Sequence, residues 1–555
     1  MKNLKPLSIN FNEKNKLVVE AAFASFVFFI ACSLFLKPIV SAPHDGIPGD
    51  YGDVRLIITL LEHSYSFIFQ SWPDTFWSPS WLFYPFSNGL ALSETMAGNV
   101  PFYAIFRLIG FDPFSSYQFW FVFVCILNFA SAWLLARELG GTAISAAIVA
   151  FLFTFAMPRF AQFNHTQLLP HYFSVISIWA LIKFFKSSDK PMRFLYIATI
   201  SAAWQFWASV YFGLFLLLVY LGLTISALAY KPIRRLVIPK LLDHKLGLLI
   251  AATLAIVILA PLFYRYHLIK EVTGYRDWPT VFWGMADWKQ LILPIHDSFL
   301  YQGFHKYMMA NSTIRGMEPY LFSGFLPLAA PFILMTMLLF SRIRRGYLTR
   351  VEQYAVYFSL SYIFLLLLAS KTSPKEFNLY YYIYQYVPGF GALRQLNRIH
   401  LLYLLFLGLS LQFIVAKVYC KNRLVAHVLG LLMLVAVFLE NIPTNFYIFS
   451  KSQNNIRIEK LTSLVLKSVS ENGCKAFFLS TPNIDYATHN DAMWISLQTK
   501  IPTINGYSGH NPPGWNLYRA RHITKEHIMQ YLYSYGSNWD QADICLIHAG
   551  KQDLL

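Results

Sequence analysis

The chain is divided by one apolar stretch after another, each long enough to cross a bilayer, and this repetition constrains the fold more than any other feature. Eleven such stretches are read, near 17–37, 114–136, 142–158, 167–185, 194–208, 210–230, 246–264, 321–341, 352–370, 399–417 and 424–442. A helical span needs roughly 20 apolar residues. The pair at 194–208 and 210–230 is tightly spaced, and 98–110 reads as a re-entrant or half-length helix. Composition agrees: 56% of the 555 residues are hydrophobic and 13% are charged, where soluble domains carry about 25% charged residues. Most of the apolar surface must therefore lie in lipid, which excludes a cytosolic enzyme, a disordered protein and a disulfide-rich secreted module. The first stretch is too long, and too poor in a small-residue cleavage site, to be a removed signal peptide.

The formal charge of +17 suggests nucleic acid until its distribution is read. Lys2, Lys5, Lys14 and Lys16 precede the first span, and the connections 183–193, 231–245, 342–350 and 417–423 are basic and nearly free of acids. With eleven spans these all fall on one side, as the positive-inside rule requires of cytoplasmic loops. The excess charge is thus a topology signal and no nucleic acid is implied. The N-terminus is expected in the cytoplasm. The long loops 38–113, 265–320 and 371–398 and the tail 443–555 are expected on the extracytoplasmic face. The domain division is 1–442, a membrane domain, and 443–555, a small soluble α/β unit. In that tail 460–469 reads as an amphipathic helix, and 476–480 and 544–548 as buried strands. If the two strands are neighbours, Cys474 and Cys545 can meet, and an extracytoplasmic face permits the disulfide. No CxxC or Cys/His spacing suggests zinc.

Four places carry chemistry. The first outer loop is the densest in acids and histidines: His44, Asp45, Asp50, Asp53, Glu62, His63, Asp74 and Glu94. Gly46, Gly49 and Gly52 allow tight turns that draw Asp50 and Asp53 together. A helix over 54–72 follows with a period of about 3.6, its polar stripe carrying Arg55, Thr59, Glu62 and Ser66; it is expected to lie in the membrane interface. Asp53 has a competing reading as a helix cap. The second place is 158–173, with Arg159, His165, Gln167 and His171 at the bilayer edge, where polar groups are expected to be functional; the alternatives are an interfacial anchor for Arg159 and a hydrogen-bonded packing histidine for His171. The third is 388–400, where Arg394 and Arg398, four apart on one helix face, match a phosphate oxygen pair; snorkelling to headgroups is the alternative. The fourth is 488–515, whose turn-rich NGYSGHNPPGW offers Tyr507 and Trp515 to stack on a sugar or cover a site, with a surface loop of no role as the equal alternative. No GxSxG, HExxH, Walker A or dinucleotide fingerprint is present.

GDYGDVRLIITLLEH, the WLFYPFSNGLALSETMAGNVPFYAIF run, NFASAWLLAREL, FAQFNHTQLLPHYF, GALRQLNRI and NGYSGHNPPGW together resemble little-characterised bacterial members of the GT-C superfamily of polytopic membrane glycosyltransferases. The resemblance covers nearly the whole chain. It implies a polyprenyl-phosphate-linked sugar donor, transfer on the outer face of the bacterial inner membrane, and an acidic base or metal ligand in the first outer loop, where Asp50 and Asp53 stand. The spacing here is DxxD where some relatives have adjacent acids, so which carboxylate is the base stays open. No cofactor is inferred, and a divalent metal is left open. The roles expected are Asp50 or Asp53 as base with His165 assisting, Arg394, Arg398 and Arg55 on the donor phosphate, and Glu62, Glu94, Gln167 and Tyr507 in substrate binding. The acceptor would be a glycan, lipid or protein hydroxyl, and direct displacement would invert the anomeric carbon. Two rival readings are a transporter or flippase of a lipid-linked saccharide and a non-catalytic envelope assembly factor. A transporter would more often show mid-bilayer charges or paired interrupted helices.

Overall fold

The computed structural model describes residues 11–37, 39, 45–71, 73–312, 318–372, 378–481, 485–518, 523–536 and 538–550; Lys2, Lys5, His44 and residue 72, named above, lie outside them. Ten helices among the described residues are long and apolar enough to cross a membrane: Val18–Phe35, Pro113–Glu138, Ala143–Phe160, Thr166–Lys186, Val210–Ala229, Lys245–Thr273, Phe325–Arg345, Arg350–Ala369, Leu396–Tyr419 and Arg423–Asn441. Where the eleventh span was expected, Pro191–Ala208 is helical too, but Arg193, Gln205 and its two tryptophans make it more polar than its neighbours. It runs back along the preceding helix. The Ser174 amide and hydroxyl donate to Gln205 Oε1 at 3.1 and 2.8 Å, and Gln205 Nε2 donates to the Pro170 carbonyl at 2.9 Å. Such polar contacts between apolar helices fix their register. The half-length helix forms as Val100–Ile109.

Leu396–Tyr419 is the axis of the bundle, its apolar window wholly buried, whereas only 11% of the Lys245–Thr273 window is covered by protein. The second helix is therefore peripheral, and its bare apolar side is of the kind lipid covers. At one end of the bundle, ion pairs tie the helix ends together: Arg137 to Glu20 at 2.5 Å, Lys183 and Lys186 to Glu138 at 2.8 and 3.0 Å, and Lys417 to Glu352 at 3.1 Å. The short basic connections sit at this end. The long loops and the tail occupy the other.

The tail holds one pair of strands with helices beside it. Ala476–Ser480 pairs in parallel with Ile544–His548, Phe477 opposite Cys545, and helices Lys451–Asn472 and Tyr486–Thr499 pack beside them. The Cys474–Cys545 disulfide is present, with Cα atoms 5.7 Å apart. The tail is also sewn into the first outer loop. Gly46–Pro48 pairs antiparallel with Ile448–Ser450, and Lys451 N and Ser452 N donate to the Asp45 carbonyl and carboxylate at 2.9 and 2.7 Å.

The helix predicted over 54–72 forms as Asp53–Phe69, but its polar stripe meets protein rather than water: Val54 through Ser66 are all buried. Arg55 reaches Asp491 of the tail at 2.5 Å, and Arg457 holds the other oxygen of Asp491 at 2.6 Å. The Tyr51 ring stacks under both guanidiniums. Glu62 takes Arg107 Nε and Nη2, both at 2.9 Å, and the Tyr103 hydroxyl at 2.7 Å. Arg55 and Glu62 are thus structural ion pairs that dock this helix to the tail and to Val100–Ile109. Asp491 has no exposed side-chain surface and Arg55 only 3%, so Asp491→Ala strands a buried cation. The expected cost is about 3–5 kcal/mol, read as a lower unfolding temperature and faster proteolysis of the tail.

Candidate functional site

The site is organised by the turn Gly49–Gly52. Gly49 has φ +106°, and a Cβ there would lie 2.2 Å from the Val54 side chain and 2.8 Å from the Phe163 carbonyl oxygen, so glycine is required on both counts. Its amide donates to the Tyr447 carbonyl at 2.8 Å, which pins the turn to the tail's first strand. Asp50 Oδ1 accepts the Gly52 amide at 3.1 Å, a local side-chain turn. The helix then starts at Asp53, and Gly52 is its N-cap with no side-chain cap bond. The capping reading of Asp53 therefore does not hold. Its carboxylate points away from the helix and accepts a short hydrogen bond from the Tyr507 hydroxyl on Oδ1, while His165 Nδ1 lies 2.6 Å from Oδ2.

His165 stands between two acids. Nδ1 faces Asp53 as an ion pair rather than an in-line hydrogen bond, and Nε2 is 3.2 Å from Glu318 Oε1. Glu318 is clamped by Arg398, whose Nε donates to Oε2 at 2.8 Å and whose Nη2 donates to Oε1. Gln162 Nε2 adds a bond to Oε2 at 3.1 Å, and Asn397 Nδ2 donates to the Glu318 carbonyl at 3.0 Å. The Arg398 guanidinium lies over the Tyr211 ring, 5.3 Å from its centroid. The result is a partly buried chain of alternating charge, Asp53–His165–Glu318–Arg398, closed from the tail by Tyr507.

The electrostatics follow from this alternation. Burial would lower the His165 pKa, but Asp53 and Glu318 outweigh it and raise it to about 9, so the imidazole is a cation at neutral pH. Burial presses the Asp53 carboxyl upward, and His165 and the Tyr507 hydroxyl overcome it, leaving Asp53 below the ordinary carboxylate range. Glu318 is likewise buried but held well below its usual range by Arg398 and His165. Asp50 goes the other way, raised by burial and then by the charge of Asp53. The Tyr507 hydroxyl is pushed up by burial and by Asp53, so it stays protonated and donating.

The two arginines expected on one helix face part company. Short 3₁₀ turns at Phe390–Ala392 and Leu396–Ile399 replace the continuous helix, and Gly284 lets the backbone between them pack close, a Cβ there meeting the Arg394 carbonyl oxygen at 1.9 Å. Arg398 turns inward to Glu318. Arg394 is half-buried on a different wall, with its amide donating to the Tyr211 hydroxyl at 3.1 Å, and no ion pair to it is found among the described residues. Arg276 and His510 join it. Arg276 Nη2 donates to the Gly509 carbonyl at 2.6 Å, and its Nε is buried without a hydrogen-bond partner. Burial and then the neighbouring Arg394 lower the Arg276 pKa. Burial, and then the charges of Arg276 and Arg394, lower His510 to about 4. Three nitrogen-rich groups thus crowd together, and Asp277 is the acid that acts on Arg276.

The other expected residues have defined places. Gln167 lies in the turn just after His165, half-buried, with its Oε1 unbonded. Glu94 caps the Val210–Ala229 helix, accepting the Val210 and Tyr211 amides at 2.7 and 3.1 Å; it therefore positions Tyr211 beneath Arg398 rather than facing a substrate. Trp515 is a buried packing residue, its Nε1 donating to the Ile504 carbonyl at 3.0 Å. Arg159 and His171 are buried in the bundle, where Arg159 also donates to the Phe153 and Leu401 carbonyls at 2.7 and 3.2 Å. Glu318, Arg276, His510 and Tyr486, whose ring covers Gly52, were not singled out from sequence. Each is a single residue whose partners lie far along the chain, so no local spacing announces it.

A divalent metal does not fit this arrangement. His165 lies between Asp53 and Glu318 and turns a nitrogen to each, so the three do not converge on one point. Among the described residues no group of three or more His, Cys, Asp or Glu is arranged to hold a metal ion.

No protein-family model and no curated protein matches the chain. Among solved structures it is similar to the archaeal oligosaccharyltransferase AglB from Archaeoglobus fulgidus in complex with an inhibitory peptide and a dolichol-phosphate, at 12% identity over 88% of this chain, with a TM-score of 0.49. The chain spans 65% of the length of that protein. It is also similar to ArnT from Cupriavidus metallidurans in the apo state, at 13% identity over 88% of this chain and 85% of the other, with a TM-score of 0.40.

Proposed function

We propose that the chain is a membrane glycosyltransferase that moves a sugar from a polyprenyl-phosphate-linked donor to an acceptor hydroxyl on the extracytoplasmic face. The observation that carries this reading is the Asp53–His165–Glu318–Arg398 chain, with Asp50 beside it and the Arg276, Arg394 and His510 group on the adjoining wall. Transfer from a lipid phosphate needs a carboxylate to take the acceptor proton and cations to receive the leaving phosphate. Both lie at the loop-bearing end of an apolar bundle, where a lipid tail has access.

The two aspartates divide the work. Environments that push a pair of carboxyls apart in pKa assign their roles. Asp50, raised by burial and with no ion pair among the described residues, is the better proton acceptor. Asp53, fixed by Tyr507 and His165, stays ionised and orients the acceptor hydroxyl. The acceptor oxygen attacks the anomeric carbon as its proton passes to Asp50. The bond from that carbon to the phosphate oxygen breaks, and the phosphate leaves with the electron pair toward Arg394 and Arg276. A single displacement inverts the anomeric centre. With its guanidinium held on Glu318, Arg398 acts by positioning rather than by binding phosphate directly.

The test is turnover of a polyprenyl-phosphate hexose by the purified protein, followed as released polyprenyl phosphate. The Arg276→Ala/Arg394→Ala pair is expected to raise the donor KM by about 100-fold with a smaller change in kcat, the loss of two charge-assisted contacts. An unchanged donor KM would refute this assignment of the phosphate site.

A further inference from the structure

A second cluster at the loop-bearing end has no part in the chemistry above. It consists of His296, Asp297, His305, Tyr320 and Tyr447. His296 Nε2 lies 2.6 Å from Asp297 Oδ2 and 3.4 Å from the Tyr447 hydroxyl. The His296 ring centroid is 6.1 Å from that of His305, 6.4 Å from Tyr320 and 6.3 Å from Tyr447, and His305 is 5.9 Å from Tyr320. His305 is the buried floor, its Nδ1 donating to the Pro294 carbonyl at 2.9 Å. His296 and Tyr447 form the rim, 46% and 44% exposed. The loop carrying them is fixed, because Thr444 donates its amide and hydroxyl to the Asp297 carbonyl at 2.7 and 2.9 Å.

The position of this cluster is informative. The Tyr447 carbonyl accepts the Gly49 amide next to Asp50, and Tyr320 follows Glu318 by two residues. The cluster is therefore fastened to both halves of the carboxylate centre. The basic group of Arg276, Arg394 and His510 joins that centre by another route, through Tyr211 and Arg398. A donor phosphate held there leaves this cluster for the other reactant.

Its chemistry is also specific. It offers aromatic faces edged by an imidazole, a carboxylate and a phenol hydroxyl, with no lysine or arginine among its members. Flat apolar faces with a polar edge match a ring that has C–H faces and a rim of hydroxyls. A carboxylate and an imidazole can accept from or donate to such hydroxyls, whereas an anionic headgroup would be repelled by Asp297. We infer that this cluster is the acceptor subsite and that the acceptor is a carbohydrate ring. The inference rests on the glycosyl-transfer reading of the Asp53 centre.

The test is saturation-transfer NMR on the full-length protein in detergent, with methyl β-D-glucopyranoside, methyl β-D-galactopyranoside and methyl α-D-mannopyranoside as probes. At least one glycoside is expected to give saturable transfer to the wild type. His296→Ala/Tyr447→Ala is expected to weaken it roughly tenfold, the scale of one or two lost contacts. Tyr447→Phe keeps the ring and is expected to retain most of the binding, which separates loss of the platform from loss of the fold. Asp53→Asn should lose transfer, which reports on the parent reading and not on the aromatic platform. Absence of a signal from all three probes, or equal binding by the wild type and the His296/Tyr447 double variant, would overturn the subsite. Full transfer activity in Asp53→Asn with glycoside binding intact would instead remove the parent reading, and with it the acceptor role.

Discussion

Asp53→Asn is expected to lower glycosyl transfer by about a thousandfold while leaving the protein folded, the scale of losing a positioned carboxylate at a reacting centre. The reason lies in the hydrogen-bond pattern. Asp53 takes a donated proton from Tyr507 on one oxygen and faces the His165 cation with the other. An asparagine presents one carbonyl and one N–H2 group, so one of those neighbours meets a donor with a donor. Asp50→Asn should cost a similar factor by removing the proton acceptor. The two are separable by pH. A base whose pKa is raised by burial and by the charge of Asp53 moves the acid limb of kcat/KM upward, and Asp50→Asn should abolish that limb. The alkaline limb should follow His165, which loses its proton as pH rises through about 9. The same group links stability to pH. Its folded pKa lies above the unfolded value of about 6.5, so its contribution is full below about pH 6.5 and is lost as pH rises through about 9. Asp53 and Glu318 are depressed, so theirs is present at neutral pH and is lost as pH falls into the acid range.

Glu318→Ala should carry the largest stability effect at the site. Arg398 is 7% exposed and is held by that carboxylate alone among the described acids within ion-pair distance, and His165 leans on it from the other side. Removing Glu318 leaves two cations facing each other in a partly buried place, with an expected cost of about 3–5 kcal/mol. The effect should be visible as a lower unfolding temperature. The double variant Glu318→Leu/Arg398→Met removes both charges of the pair and should recover much of the lost stability, since replacing a buried ion pair by apolar groups is often close to neutral. It should still be inactive, because His165 is then anchored only on Asp53. A double variant that regained full transfer would show that the Glu318–Arg398 pair is scaffolding and has no bearing on the chemistry.

The sequence made the membrane bundle legible because long apolar runs and basic short loops are local signals. The Asp50–Asp53 turn was legible for the same reason: its glycines and acids sit within a few residues of one another. His165 stood out as a polar residue at the edge of an apolar run. Glu318 did not, because its partner Arg398 is 80 residues away and a lone acid in a long loop has no spacing to read. Tyr507 reads from sequence as a substrate contact, and its bond to Asp53, 454 residues earlier, has no local signal. Arg55 reads as a donor-phosphate contact and Glu62 as a substrate contact because a helical stripe reveals which face is polar and not what covers it; Asp491 and Arg107 cover it here. Glu94 carried the same ambiguity, and the helix it caps begins more than a hundred residues later. The Cys474–Cys545 pair was readable because each cysteine adjoins or lies within a recognisable strand, and the parallel pairing of those strands brings them together.

The central claim is tested most directly by mass spectrometry of lipid-linked saccharides and envelope glycans from cells carrying the wild type, a deletion, and the Asp50→Asn/Asp53→Asn double variant. Transfer at this centre predicts that one sugar-sized mass disappears from the acceptor pool equally in the deletion and the double variant, with the sugar-loaded lipid donor accumulating in both. Undecorated lipid-linked saccharide accumulating in the deletion alone, with the double variant indistinguishable from the wild type, would contradict it and point to transport or scaffolding instead.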